Sequence, residues 1–200
     1  MLIASLNFKG GQGKSMWAAI LATWLGDQVE ILDLDYRQGD SLAWAQRAGR
    51  PSRLVRPNDY EQILRTAAAS DEWFVVDCPP GEEAQTDLVL RLAALLVIPV
   101  LPAGIQDASA WGRMREAIKD AQVTNPGLKI ASILNGARRT TMSTQFLAML
   151  KEWHAPKEGR AFIGSVPQRV AFADSYGAGK APHDPSIDDV LAMLERFASA

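Results

Sequence analysis

Three glycines between two lysines, in Lys9-Gly10-Gly11-Gln12-Gly13-Lys14-Ser15, constrain this chain more than any other stretch. An apolar run over residues 1–6 precedes them and predicts a strand. A second apolar run, 16–25, follows and is long enough for a helix. Strand, glycine-rich turn and helix is the context of a phosphate-binding loop. Glycine lets successive backbone N–H groups converge on one anion, and the helix N-terminus adds partial positive charge. Lys14 is then placed to reach the β- and γ-phosphates, with Gly10, Gly11, Gln12, Gly13 and Met16 around them, and the Ser15 hydroxyl to ligate Mg²⁺. The usual pattern has glycine five residues before the Gly-Lys pair, where this chain has Phe8. Instead a second lysine, Lys9, opens the loop.

Strand and helix patterns alternate through the rest of the chain. Strands are expected at 29–34, 73–76, 95–100, 129–134 and 161–166, and helices at 41–48, 60–69, 83–93, 108–121, 141–153 and 187–198. The run 95–100 is wholly apolar, as in a parallel strand buried on both faces. The pattern predicts an α/β doubly wound, mostly parallel sheet of about seven strands with helices on both faces, formed by residues 1–200 as one domain. Ligands of such sheets bind beyond the carboxyl ends of the strands. The residues there are the phosphate loop, Asp33 with Asp35, Asp77, Asn135 and Pro167. Asp77 follows four apolar β-type residues and is suited to hold Mg²⁺ with Ser15. Asp33 and Asp35 alternate at a strand end, which places one near Mg²⁺ and the other to orient an attacking water.

Composition narrows the choice of function. The formal net charge is −2, so any nucleic-acid binding must come from a local basic patch. The single cysteine, Cys78, excludes an internal disulfide or a Cys-pair metal site and fits a reducing, cytoplasmic setting. No apolar run is long enough for a membrane span, and the first residues read as a strand and not as a signal peptide. His154 and His183 have no metal spacing and are expected at the surface. Trp17, Trp73 and Trp153 are expected to pack against apolar neighbours.

Lys9-Gly10-Gly11-x-Gly13-Lys14-Ser15, the Asp33-x-Asp35 strand end and Asp77-Cys78-Pro79-Pro80-Gly81 resemble the ParA/MinD family of deviant Walker A ATPases. Val97-Ile98-Pro99-Val100-x-Pro102, Ile133-Leu134-Asn135, Val166-Pro167-Gln168-Arg169-Val170 and Ala178-Gly179-Lys180 extend the resemblance to about residue 185. The chain looks most like the small ParA-type partition members. The resemblance implies that Lys9 reaches across a nucleotide-sandwich homodimer to the other subunit's phosphates. It implies that Asp35 positions the hydrolytic water, that Asp77 is the Mg²⁺-side acid, and that Asn135 and Pro167 frame the adenine. Tyr36 stands where the family commonly has proline, and Gly26-Asp27-Gln28 makes a tighter turn than most members have. Neither change removes a catalytic group.

The resemblance further implies ATP and Mg²⁺ as cofactors, and non-specific DNA binding by the ATP dimer. A centromere-binding or cargo adaptor would stimulate hydrolysis, and the ATP form would associate with the nucleoid. Arg138, Arg139, Arg169 and Lys180 are the candidate DNA contacts, with Lys151, Lys157 and Arg160 in the same half of the chain. Plasmid or chromosome segregation is the first expectation. A positioning ATPase for a protein cargo, such as a carboxysome or a chemoreceptor cluster, would share every catalytic residue. A MinD-like membrane role would need a cationic amphipathic tail, whereas Asp188-Asp189 through Phe197 is acidic on its polar face. A metabolic ATP-dependent enzyme on the same scaffold is the remaining alternative.

Overall fold

The computed structural model describes residues 1–102, 105–154 and 159–199. Lys157 lies outside them. The elements are β1 (Leu2–Ser5), α1 (Lys14–Leu25), β2 (Glu30–Asp33), α2 (Asp40–Ala48), β3 (Ser52–Leu54), α3 (Tyr60–Ala69), β4 (Phe74–Asp77) and α4 (Ala84–Leu92). They continue with β5 (Leu95–Val100), α5 (Ile105–Thr124), β6 (Lys129–Ala137), α6 (Thr141–Trp153), β7 (Arg160–Pro167), α7 (Val170–Gly177) and α8 (Pro185–Ser199). The strands form one parallel sheet in the order β3-β2-β4-β1-β5-β6-β7.

Side-chain alternation along each strand builds two cores. Leu2, Ala4, Leu32, Val76, Leu96, Ile98 and Ile130 face α3, α4, α5 and α6. Ile3, Ile31, Val75, Leu95, Val97 and Ala131 face α1, α2, α7 and α8. β1 lies at the centre of the sheet, between β4 and β5, and the chain crosses from one half to the other there. The loop after β1 therefore opens at the topological switch point, where a ligand has backbone on both sides. The register fixes the rest of the site: Ser5 of β1, Asp77 of β4 and Asp33 of β2 are direct neighbours in one row across the sheet.

Two elements escape the sequence pattern. β3 has only three residues at the sheet edge, too few to show a period, although the expected total of about seven strands holds. α7 opens on β-branched Val170, ends on Gly177 and buries only Phe172. One expectation is corrected: His154 is buried, not at the surface. Its ring lies edge-on to Trp153, and burial, helped by nearby Arg160, pushes its pKa down to about 4. The residue that caps the C-terminus of α6 thus serves packing. Trp17 and Trp153 are buried and Trp73 half-buried, as their apolar neighbours predict.

Candidate functional site

The phosphate loop is held from several strands at once. Asn7 donates to the Pro99 carbonyl at 2.8 Å and accepts from the Lys9 N–H at 3.0 Å. The Gln12 side chain accepts from the Leu101 N–H at 2.7 Å, and its carbonyl accepts from the Asn135 amide at 2.8 Å. Ser5 donates from the end of β1 to the Lys14 carbonyl at 2.9 Å. Asn7, Gln12 and Asn135 are all buried, so these bonds are shielded from competing water. Gly13 sits at φ 88° as the N-cap of α1, and a Cβ there would lie 2.4 Å from the Asn135 amide nitrogen. Only glycine fits that position. With no side chain at the cap, the first N–H groups of α1 point into the loop with nothing local to accept them.

The two lysines occupy different places. Lys14 is buried, and its ammonium donates to the Lys9 carbonyl at 3.3 Å. Burial lowers its pKa, while Asp77, Cys78 and Asp35 oppose that shift. Lys9 is half-buried at the rim of the loop. Ser15 and Met16, on the first turn of α1, are each half-buried, and Gly10 and Gly11 are exposed.

Two carboxylates lie side by side under the loop and differ in their surroundings. Asp77 is fully buried, and neither oxygen has a hydrogen-bond partner among the described residues. The Ser15 and Ser41 hydroxyls are close enough to favour its ionised form without making a bond of ordinary geometry. Burial first, and Asp33 beside it second, push its pKa up to about 7. An orphaned buried carboxylate facing a serine hydroxyl and an anion loop is a fit for a hydrated divalent cation. No group of three His, Cys, Asp or Glu residues converges among the described residues, so such an ion must draw its other ligands from phosphate and water. Asp33, expected near the metal, has both oxygens engaged by backbone. Oδ1 accepts from the Asp35 N–H at 2.9 Å and Oδ2 from the Leu42 N–H at 3.0 Å.

Asp35 is half-buried and begins an exposed segment, Tyr36, Arg37 and Gln38, that ends at Gly39. Arg37 lies over the Tyr36 ring, 5.5 Å from its centroid. This segment and Pro79, Pro80, Glu83 and Gln85 line a small cavity of about 120 Å³. A larger groove, about 330 Å³, lies away from the loop between β2, α3 and β4.

Asn135 is brought against the phosphate loop itself. It stands next to a β-bulge at Gly136, where φ is 67° and a Cβ would lie 2.4 Å from Leu101. The bulge re-aims the strand end. Pro167 ends β7 opposite Ala137 and is half-buried. Among the basic residues, Arg138 donates to the Gln168 side chain at 2.5 Å, which joins the ends of β6 and β7 into one exposed corner with Arg139 and Arg169. Arg169 is paired with Asp184 at 3.2 Å. Lys180 is exposed and follows Gly179, which lies against Arg47 in the last turn of α2. Arg160 begins β7 at the other end of the strand and lies over Trp153, so it is not part of that corner. Asn7 supports the site but carries no local signal, because its partner Pro99 is distant in sequence.

The family model of the CobQ/CobB/MinD/ParA nucleotide-binding domain matches residues 3–182. "Maintenance of carboxysome distribution protein A" of Halothiobacillus neapolitanus is 31% identical over 187 residues, covering 88% of this chain and 84% of that protein. A plasmid partition protein of Borrelia burgdorferi, bound to AMPPNP, superposes with a TM-score of 0.74 at 16% identity, over 99% of this chain and 98% of that one. The septum site-determining protein MinD of Pyrococcus horikoshii, complexed with Mg-ADP, superposes with a TM-score of 0.71 at 16% identity, over 98% and 94%. The chain therefore belongs to the CobQ/CobB/MinD/ParA nucleotide-binding family and is an ATPase of the ParA/MinD type.

Proposed function

We propose that this ATPase forms a homodimer around ATP, binds DNA non-specifically in that state, and positions a protein cargo until an adaptor stimulates hydrolysis. The contrast between the two lysines carries this reading. Lys14 is buried inside its own loop, whereas Lys9 stands half-buried at the rim, where a second subunit would approach. Two subunits facing each other across two nucleotides make an isologous C₂ pair, and Lys9 would neutralise charge developing on the other subunit's phosphates.

The residues divide the hydrolysis among themselves. The loop N–H groups and Lys14 bind the phosphates; Ser15 and Asp77 would hold the magnesium, and Asp35 would orient the water that attacks the γ-phosphorus. An ion held by Ser15 and Asp77 would supply neutralisation of phosphate charge. The products are ADP and phosphate. Asn135 and Pro167 would bound the nucleotide on the β6–β7 side. Arg138, Arg139 and Arg169, with Lys180 further away, are the proposed DNA contacts, through phosphates and without base reading.

A protein cargo is favoured over a plasmid by the relative named for carboxysome distribution, the sequence match that spans most of both chains. Light scattering with ATP tests the dimer: wild type should double in mass and Lys9→Ala should stay monomeric. Equal dimerisation of the two would remove the trans role of Lys9. Binding of arbitrary duplex DNA should require ATP and weaken at least about a hundredfold between ~50 and ~200 mM salt. Absence of any shift at low salt would exclude the nucleoid part of the reading.

A further inference from the structure

We propose that Asp33 is the positioning residue for Asp35, acting by capping α2 from the preceding strand, and is not a ligand of the magnesium ion. β2 ends at Asp33, and the chain turns before α2 begins at Asp40. α2 has no cap of its own: its N-cap is Gly39, at φ 64°, which offers no side-chain acceptor. The third N–H of the helix, that of Leu42, donates instead to Asp33 Oδ2 at 3.0 Å. The other oxygen takes the Asp35 N–H at 2.9 Å. One fully buried carboxylate thereby fixes both the residue that opens the turn and the helix that closes it. A helix N-terminus is a favourable place for that charge.

The remaining bonds show what is fixed and what is free to turn. The carbonyl of Leu34 accepts from the Tyr60 hydroxyl at 3.0 Å, so the peptide unit that joins Leu34 to Asp35 is held at its oxygen as well as at its N–H. The Asp35 carbonyl accepts from the N–H groups of Gln38 and Gly39 at 3.0 and 2.8 Å. Its carboxylate has one long bond, 3.3 Å, from the Gln38 N–H. The backbone of Asp35 is therefore set while its carboxylate can reorient towards a water. Asp77, in the same register on the next strand, has the opposite character, with both oxygens unpartnered among the described residues. An ion needs lone pairs that backbone donors have not already taken. Asp77 offers them and Asp33 does not.

This inference rests on the reading of Asp35 as the water-orienting carboxylate, and the experiment separates the two. Asp33→Asn, Asp35→Asn and the double variant are compared for Mg²⁺-dependent binding of a fluorescent ATP analogue and for single-turnover hydrolysis. Asp33→Asn should bind within about threefold of wild type, need the same Mg²⁺ concentration, hydrolyse about tenfold or more slowly, and add no loss in the Asp35→Asn background. Wild-type amide exchange gives a readout that needs no variant: the Leu42 and Asp35 amides should exchange slowly and stay slow with Mg²⁺ and AMPPNP. A rise of about tenfold in the Mg²⁺ needed by Asp33→Asn, or loss of Leu42 protection when Mg²⁺ and AMPPNP bind, would overturn the proposal. Normal turnover by Asp35→Asn would instead defeat the reading of Asp35, and Asp33 would then stand or fall on the Mg²⁺ and amide measurements.

Discussion

Two loops flank the phosphate site, and they are built in opposite ways. The loop from Asn7 to Gly13 is tied to the ends of β5 and β6 by buried side chains, with partners at Pro99, Leu101 and Asn135. The segment from Asp35 to Gly39 is largely exposed and is stitched mostly to itself, with Asp33 and Tyr60 holding only its first residues. A phosphate-binding cradle must exist before the ligand arrives, since ordering it on binding would weaken affinity. A segment that acts only during hydrolysis benefits from freedom to rearrange. The difference teaches that affinity belongs to the first loop, while turnover within one subunit belongs to the second.

Several substitutions can break or sharpen that division. Lys14→Ala should have the largest effect, weakening ATP binding by about a hundredfold or more, or about 2.7 kcal/mol, because it removes the buried cation from the cradle. Isothermal titration measures it; unchanged affinity would mean the loop N–H groups suffice. Asn135→Ala should be the next, loosening nucleotide by about tenfold through loss of the bond that holds the Gln12 carbonyl, with turnover of the bound fraction little changed. A drop in turnover at saturating ATP would put Asn135 on the other side of the division.

The smallest effect is on stability, far from either loop. The folded pKa of His154 is about 4, against an ordinary 6.5, so the folded state resists a proton that the unfolded chain accepts. Its contribution is whole above about pH 6.5 and is lost as the pH falls towards 4. Thermal unfolding at about pH 7.5 and about pH 5 should show a loss of a few degrees that His154→Phe reduces. An equal loss in the variant would assign the acid sensitivity to other groups.

What could be read from the sequence follows the same line as the two loops. The glycines and lysines of residues 9–15 are adjacent in the chain, and Asp33, Asp35 and Asp77 end apolar runs, so their place at strand ends was legible. The ties that make the cradle rigid were not, because Asn7 and Gln12 meet partners about ninety residues away. Asp33 and Asp35 look alike as a pair of acids; only the helix that starts at Asp40, and lacks a cap, separates their surroundings. The burial of His154 leaves no trace in the sequence, because a polar residue after a helical pattern gives no sign of the β7 side chain, Arg160, that comes beside it. β3 and α7 are too short or too weakly patterned to announce themselves.

The division of labour between the loops is tested most directly by measuring ATP affinity and single-turnover hydrolysis side by side for Asp35→Asn. The prediction is affinity within about threefold of wild type and hydrolysis slower by about a hundredfold. Affinity lost by more than about tenfold, with bound ATP hydrolysed at the wild-type rate, would contradict it.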